Sequence, residues 1–224
     1  MNQQRYKYPR TSHLPWSRSV SPDDLVYHGG ADLGIYPSGT EVVITEKMDG
    51  ENTSLYTDGL HARSIDSKGH PSRNWVRMLQ GQMGHLIPSG MRLCGENLYA
   101  QHSIAYHDLE SFFLLFSIWE DDRCLSWDDT EEWAELLDLP LVPILYRGQW
   151  DERIARSLCT ELNIDHQEGY VVRPTSSFLR HDFESLVHKW VRPHHVQTDN
   201  HWMYQPIVPN RLGDRDFAKE ESDF

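Results

Sequence analysis

Short apolar runs alternate with turn residues along most of the chain. Val42-Val43-Ile44 lies in a run that predicts a strand over 41–47. Strand patterns follow at 52–56 and 60–65, with Asp49-Gly50 and Asp58-Gly59 as the turns of three antiparallel strands. After Pro71-Ser72 the period changes. Trp75, Leu79, Met83 and Ile87 recur at helical spacing, with Ser72 as the predicted N-cap and Trp75 and Met83 as core. A strand over 91–99 contains Gly95-Glu96-Asn97, and the almost wholly apolar run 111–119 predicts a central strand. A second helix is predicted over 128–137, with Trp133, Leu136 and Leu137 inward. A strand over 141–146 precedes a third helix, 151–162, striped at Ile154, Leu158 and Leu162. Two strands, 169–173 and 185–191, close the pattern. Strands dominate and helices are interspersed, which predicts an α+β fold of mostly antiparallel sheets.

Pro9, Pro15 and Pro22 break any helix in 1–22, so this stretch reads as an extended basic arm. Its alternatives are a disordered leader or an arm docked through Leu14, Pro15 and Trp16. The expected catalytic domain is 23–205, followed by a tail over 206–224 that is mixed and mostly acidic after Gly213 and frays. The segment 194–203, with His201 and Trp202, reads as a short strand or a substrate contact.

Charge narrows the function. With 21 basic and 34 acidic side chains the net charge is −13, unlike a nonspecific nucleic-acid binder. Basic residues still cluster: Arg5, Lys7, Arg10 and Arg18 in the arm, and Arg63, Lys68, Arg73 and Arg77 in 61–77. Local basic patches on an acidic body suit a phosphate-bearing ligand. The 3 cysteines are far apart and form no metal motif, which predicts a reducing compartment. No apolar stretch is long enough for a membrane span, and the N-terminus is not signal-like, so the expectation is a cytoplasmic protein. The 13 histidines show no zinc spacing.

Lys47 carries the candidate chemistry. It stands where a strand ends and Asp49-Gly50 begins, in Glu46-Lys47-Met48-Asp49-Gly50. A lysine shielded from water and near other cations loses its proton and becomes a nucleophile. Lys47-Met48-Asp49-Gly50 also fits a hairpin whose turn carries a solvated lysine. Further along stand His61-Ala62-Arg63-Ser64, Gly95-Glu96-Asn97, Phe112 to Ile118 with Phe116, Glu168-Gly169-Tyr170-Val171-Val172-Arg173, and Val187-His188-Lys189-Trp190-Val191-Arg192. In this order they resemble the covalent nucleotidyltransferases, and most of all the ATP-dependent RNA ligases of the RNA ligase 2 group, over about 40–192.

The resemblance implies the nucleotidyltransferase (ligase adenylylation) fold, ATP as cofactor, and Mg²⁺ or Mn²⁺. Lys47 would take AMP from ATP as a covalent lysyl-AMP. AMP would pass to an RNA 5′-phosphate, and a 3′-hydroxyl would then displace it. RNA with 5′-phosphate and 3′-hydroxyl ends is the implied partner, with an RNA end-processing kinase or phosphatase as a further one. Lys189 and Glu168 join Lys47 as implied catalytic residues. Glu46, Asp49, Arg63, Glu96 and Phe116 complete the nucleotide set, with Phe116 stacking adenine and Glu46 accepting from its amino group. Glu168 and Glu96 are the implied metal ligands. Arg173, His188 and Arg192 are the implied phosphate helpers.

The sequence departs from the family in two motifs. Val187 and Val191 flank Lys189 where a second lysine is common, leaving His188 or Arg192 to substitute. Ser117 replaces the aspartate of a common Phe-Asp-Ile. The expectation is a catalytic core without an OB-fold. The alternatives are an ATP-dependent DNA ligase, a GTP-using capping enzyme, or a catalytically silent nucleotide- or RNA-binding module of this fold.

Overall fold

The computed structural model describes residues 4–29, 34–67, 69–193 and 206–213. Lys68, the segment 194–203 and the tail after Gly213 lie outside the described residues. The first half of the chain forms strands β1 (Ser12–His13), β2 (Glu41–Lys47), β3 (Glu51–Tyr56) and β4 (Gly59–Ala62), helix α1 (Asn74–Met83), and strands β5 (Met91–Asn97) and β6 (Phe113–Glu120). Then come β7 (Arg123–Cys124), α2 (Trp127–Leu136), β8 (Ile144–Gln149), α3 (Glu152–Glu161), β9 (Gly169–Pro174), β10 (Phe178–Leu179), α4 (Phe183–Leu186) and β11 (His188–Val191).

The strands make two sheets, ordered β1-β11-β9-β2-β8 and β10-β7-β6-β5-β3-β4. All the ladders are antiparallel except β1 on β11. The α+β expectation of mostly antiparallel sheets therefore holds. Side chains alternate across each pleat. Ile44, Tyr170, Val172 and Trp190 of the first sheet pack with Ala155 and Leu158 of α3. Leu55, Leu93, Phe113 and Ile118 of the second pack with Val76 of α1 and Ala134 of α2. The opposite faces, with Thr45, Lys47, Val171 and Lys189 on one side and Glu96 and Phe116 on the other, line a shared cleft.

Asp49-Gly50 is not a hairpin turn, contrary to the sequence pattern. Both edges of β2 are occupied, one by β8 and one by β9, so β3 has no edge of β2 to pair with. The chain instead crosses from one sheet to the other between Lys47 and Glu51. A Cβ on Gly50 would lie 2.6 Å from the Asn97 carbonyl oxygen and 2.8 Å from Leu98 Cδ2, so the crossing requires glycine. Asp58-Gly59 does join a hairpin, β3–β4.

Other differences are local. Pro71–Arg73 is a single 3₁₀ turn, and His70 rather than Ser72 supplies the capping acceptor, taking the Ser72 N–H. Leu136 is 72% exposed, because the inward face of α2 runs through Thr130 and Ala134. Residues 183–186 turn once as helix before the last strand begins at His188.

The arm is docked rather than loose. Ser12 and His13 pair with His188 and Lys189, Leu14 is fully buried, and Trp16 donates to the Tyr170 hydroxyl at 3.0 Å. Residues 206–213 also fold back on the body. Asn210 is buried, donates to the Leu98 carbonyl at 2.7 Å and accepts from the Tyr106 N–H at 2.9 Å.

Candidate active site

Lys47 closes β2, and in the ladder it lies opposite Gly169, the first residue of β9. Its Nζ donates to Glu168 Oε2 at 2.5 Å. The place of Glu168 is set by backbone constraints. Gly169 has φ +157°, and a Cβ there would lie 2.0 Å from the Trp190 carbonyl oxygen. The Glu168 carbonyl accepts from the Arg192 N–H at 2.9 Å. Lys189, on β11, pairs in register with Val171. Lys47, Lys189, Glu46, Glu168, Glu96, Arg63 and Phe116 all line one cleft of about 1070 Å³ between the two sheets.

The electrostatics differ from the expected pattern of cations depressing a nucleophile. Burial disfavours the charged form of Lys47, but Glu168, Glu96 and Asp49 outweigh it and hold the ammonium above its usual range. The Glu96 carboxyl is pushed up to about 8, first by burial and then by the neighbouring carboxylates, with Lys47 opposing. Lys189 moves the other way. Burial and the Lys47 charge bring it down to about 8, against the pull of Asp24 and Glu168. The cleft therefore holds Lys47 protonated and brings Lys189 toward neutrality.

Other site residues differ in where their polar atoms go. Glu46 Oε2 accepts from Gln167 Nε2 at 2.7 Å, and burial raises its carboxyl. Asp49 lines the cleft, but its Oδ2 accepts from Ser103 N and Oγ at 2.8 and 2.7 Å and from Ile104 N at 2.8 Å. That carboxylate anchors the loop after β5. Phe116 is half-buried, with the Tyr8 ring edge-on at 5.4 Å.

The three implied phosphate helpers are not presented as free cations. Arg173 is buried and donates to the Leu125 carbonyl at 2.6 Å and the Pro174 carbonyl at 3.2 Å, bracing β9 against the other sheet. His188 is fully buried outside the cleft lining, stacked on Tyr27 at 4.3 Å. Burial lowers it to about 4, so it carries no charge near neutral pH. Arg192 donates to the Ile164 carbonyl, also outside the cleft lining. Neither presents a cationic group to the described cleft lining. Val187 lines the cleft with an apolar side chain.

The basic surface is also partly redirected. Arg73 is buried in an ion pair with Glu51 at 2.5 Å, and Arg5 pairs with Asp58 at 2.6 Å over the Tyr56 ring. Lys7 and Arg10 remain exposed at the cleft rim, and Arg18 and Arg77 are exposed elsewhere.

No group of three or more acidic, histidine or cysteine side chains among the described residues forms a metal site. Two carboxylates still fit the chemistry of Mg²⁺, which is held by one or two carboxylates plus substrate phosphates. Burial and the neighbouring carboxylates favour the protonated form of Glu96, and a divalent cation beside it would favour the ionised form.

A family profile described as RNA ligase matches residues 40–191. The chain belongs to the RNA ligase family. Solved structures similar to this family member include an archaeal ATP-dependent RNA ligase in two forms. Form 1 has a TM-score of 0.52 at 17% identity, with 68% of this chain and 43% of that chain covered. Form 2 has a TM-score of 0.50 at 16% identity, with the same coverage. A Naegleria gruberi RNA ligase with PPi has a TM-score of 0.50 at 19% identity, covering 69% of this chain and 50% of that one. These likenesses establish the ligase nucleotidyltransferase fold. The match spans half or less of the length of those chains. No curated protein matches the sequence. No helix among the described residues is long and apolar enough to cross a membrane.

Sequence reasoning missed Gln167, which bonds Glu46; Ser103 and Tyr106, which bond the Asp49 carboxylate and N–H; and Asp24, 3.8 Å from Lys189. None stands in a recognisable motif. A half-buried Glu46 needing a donor was the one available signal for Gln167.

Proposed function

We infer that the chain is an ATP-dependent RNA ligase whose nucleophile is Lys47. The single observation behind this reading is Lys47 against Glu168, with Lys189 and Glu96 in the same cleft. In the proposed reaction the neutral Lys47 amine attacks the α-phosphorus of ATP. A nitrogen–phosphorus bond forms, and pyrophosphate leaves. AMP then moves to an RNA 5′-phosphate, and a 3′-hydroxyl displaces it to seal the strand.

The residues divide the work. Glu168 holds the Lys47 amine in the cleft, and Lys189 meets the negative charge that grows on the α-phosphate. Phe116 offers a ring face for adenine, and Glu46 accepts from its amino group. Arg63 lies on the same cleft as a further cation for phosphate. Mg²⁺ or Mn²⁺ held by Glu168 and Glu96 would supply positive charge beside Lys47 and remove the carboxylate support that keeps it protonated.

Incubation with labelled ATP and Mg²⁺ or Mn²⁺, then a denaturing gel, is expected to leave acid-labile label on the protein. Labelled GTP should leave none. Absence of label with ATP sinks the ligase reading. Glu168→Ala and Lys189→Ala are each expected to slow labelling by about 10²- to 10³-fold, the usual effect of removing one charge-stabilising contact. Labelling at the wild-type rate in either variant removes that residue's role.

Nicked duplexes test the polymer. A protein separates RNA from DNA through the 2′-hydroxyl and A-form shape. RNA-terminated strands are expected to be sealed much faster than an all-DNA nick. Arg10→Ala is expected to weaken binding most at low salt, as loss of a phosphate contact does. Equal sealing of all substrates moves the assignment to a DNA ligase.

A further inference from the structure

The cleft has a wall that lies outside the family match. The segment 7–11 and residues Ser21, Asp23, Asp24 and Leu25 line it, and all precede residue 40. This segment is joined directly to Lys189. His13 stands opposite Lys189 in the β1–β11 ladder, and the Leu14 N–H donates to the Lys189 carbonyl at 2.8 Å. On the other side of β1, His13 N donates to the Leu25 carbonyl at 2.6 Å, and Tyr27 N donates to the His13 carbonyl at 2.8 Å. The chain around residue 24 is thereby fixed beside β11.

Asp24 is oriented within this frame. The N–H and Oγ of Ser21 both donate to its Oδ2 at 2.9 Å. Its Oδ1 lies 3.8 Å from Lys189 Nζ. Both side chains are largely buried, at 17% and 13% exposure. At such exposure a charge interaction is weakly screened, unlike a surface ion pair. His13 completes the cluster, with its Nε2 at 3.6 Å from Asp24 Oδ2 and its Nδ1 at 2.8 Å from Ser17 Oγ.

We propose that Asp24 is a positioning residue for Lys189, holding its ammonium group in the cleft and serving as its counterion. The proposal rests on the reading of Lys189 as the cation that meets the α-phosphate. Asp24 touches no reacting atom and acts through Lys189. The charged groups facing Lys189 are Lys47 from β2, Arg63 after β4, Glu168 before β9, and Asp24. The two other cations push its proton off. Asp24 and Glu168 retain it, and Glu168 is already paired with Lys47. Burial opposes ionisation of Asp24, but the Ser21 bonds and the Lys189 charge outweigh it and keep the carboxylate charged. Burial lowers His13 to about 4, so it is neutral here and Asp24 is left to serve Lys189.

The test is single-turnover formation of the lysyl-adenylate at saturating ATP and Mg²⁺, across pH, for wild type, Asp24→Asn, Asp24→Glu, Ser21→Ala and Lys189→Ala. Loss of Asp24 lowers the Lys189 pKa further, so the alkaline limb of the profile moves to lower pH. Asp24→Asn is expected to slow the maximal rate by roughly 10- to 100-fold near neutral pH, as misplacement of a catalytic group does. The apparent affinity for ATP should change less. Asp24→Glu should recover part of the rate and move the limb back. Ser21→Ala loosens Asp24 without removing a charge, so it should give a smaller shift of the same sign. It also carries the test if Asp24→Asn does not fold. A wild-type rate and limb in folded Asp24→Asn, or in Ser21→Ala should that variant have to stand in, overturns the proposal while a slow Lys189→Ala leaves the ligase reading standing. A slow Asp24→Asn with an unmoved limb and a lowered melting temperature makes Asp24 merely structural and also overturns it. A wild-type rate in Lys189→Ala removes the role of Lys189, and the role of Asp24 with it.

Discussion

Lys47→Ala is expected to carry no label after incubation with ATP and a divalent cation, and to keep the native fold. The loss should be complete rather than partial, because no neighbouring group replaces the amine. Lys189 is the other lysine on the described cleft besides the rim residue Lys7, and it stands on another strand. The fold should still form, although Glu168, only 3% exposed, loses a charge partner and some stability with it. The pH dependence follows from the direction of the shift. A Lys47 pKa raised above its usual value means that adenylylation without added metal rises with pH through the whole neutral range. Added Mg²⁺ should move that acid limb to lower pH, since charge on Glu168 and Glu96 is then shared with the metal. Label persisting on Lys47→Ala excludes Lys47 as the nucleophile.

Arg73→Ala is expected to destabilise the fold by about 3–5 kcal/mol, the usual cost of removing one partner from a buried ion pair. Arg73 donates through Nε and Nη2 to the two carboxylate oxygens of Glu51, at 2.6 and 2.5 Å. The side chains are only 5% and 11% exposed, so water replaces neither partner cheaply. Glu51 begins β3 next to the sheet crossing, and the pair ties that crossing to the turn before α1. A double variant, Glu51→Gln with Arg73→Met, should be less destabilised than Arg73→Ala, because it leaves no uncompensated charge. Denaturant midpoints measure both. A wild-type midpoint for Arg73→Ala together with weakened RNA binding returns Arg73 to the RNA-binding surface.

Much of the candidate site was legible because its residues stand on or beside strands with a visible apolar pattern. Lys47, Glu168 and Lys189 each adjoin an apolar run whose period is visible, and a strand terminus leaves a side chain free to reach a ligand. Strand order was not legible. Asp49-Gly50 carries the composition of a hairpin turn, yet β2 is already paired on both edges, a fact set by β8 and β9 about a hundred residues away. The charge state of a group was equally hidden. His188 and Arg173 look like available cations in sequence, and only tertiary packing shows one neutral and the other bonded to carbonyl oxygens. Lys47 is the sharpest instance, since the depression expected from cations gives way to three carboxylates that meet it only after folding.

The docking of β1 bears on where this protein is cut. The family match begins at residue 40, and a fragment started there would look complete by sequence comparison. It would lack the strand at the edge of β11, the fully buried Leu14, and the tryptophan bonded to Tyr170. One side of β11 would then present unpaired backbone groups to solvent, an invitation to pair with another chain. Such a fragment is therefore a poor unit for expression, for crystallisation, and for comparing rates between relatives. The packed unit extends further at its N-terminal side than the family match, and boundaries drawn from motif spacing alone pass through its interior.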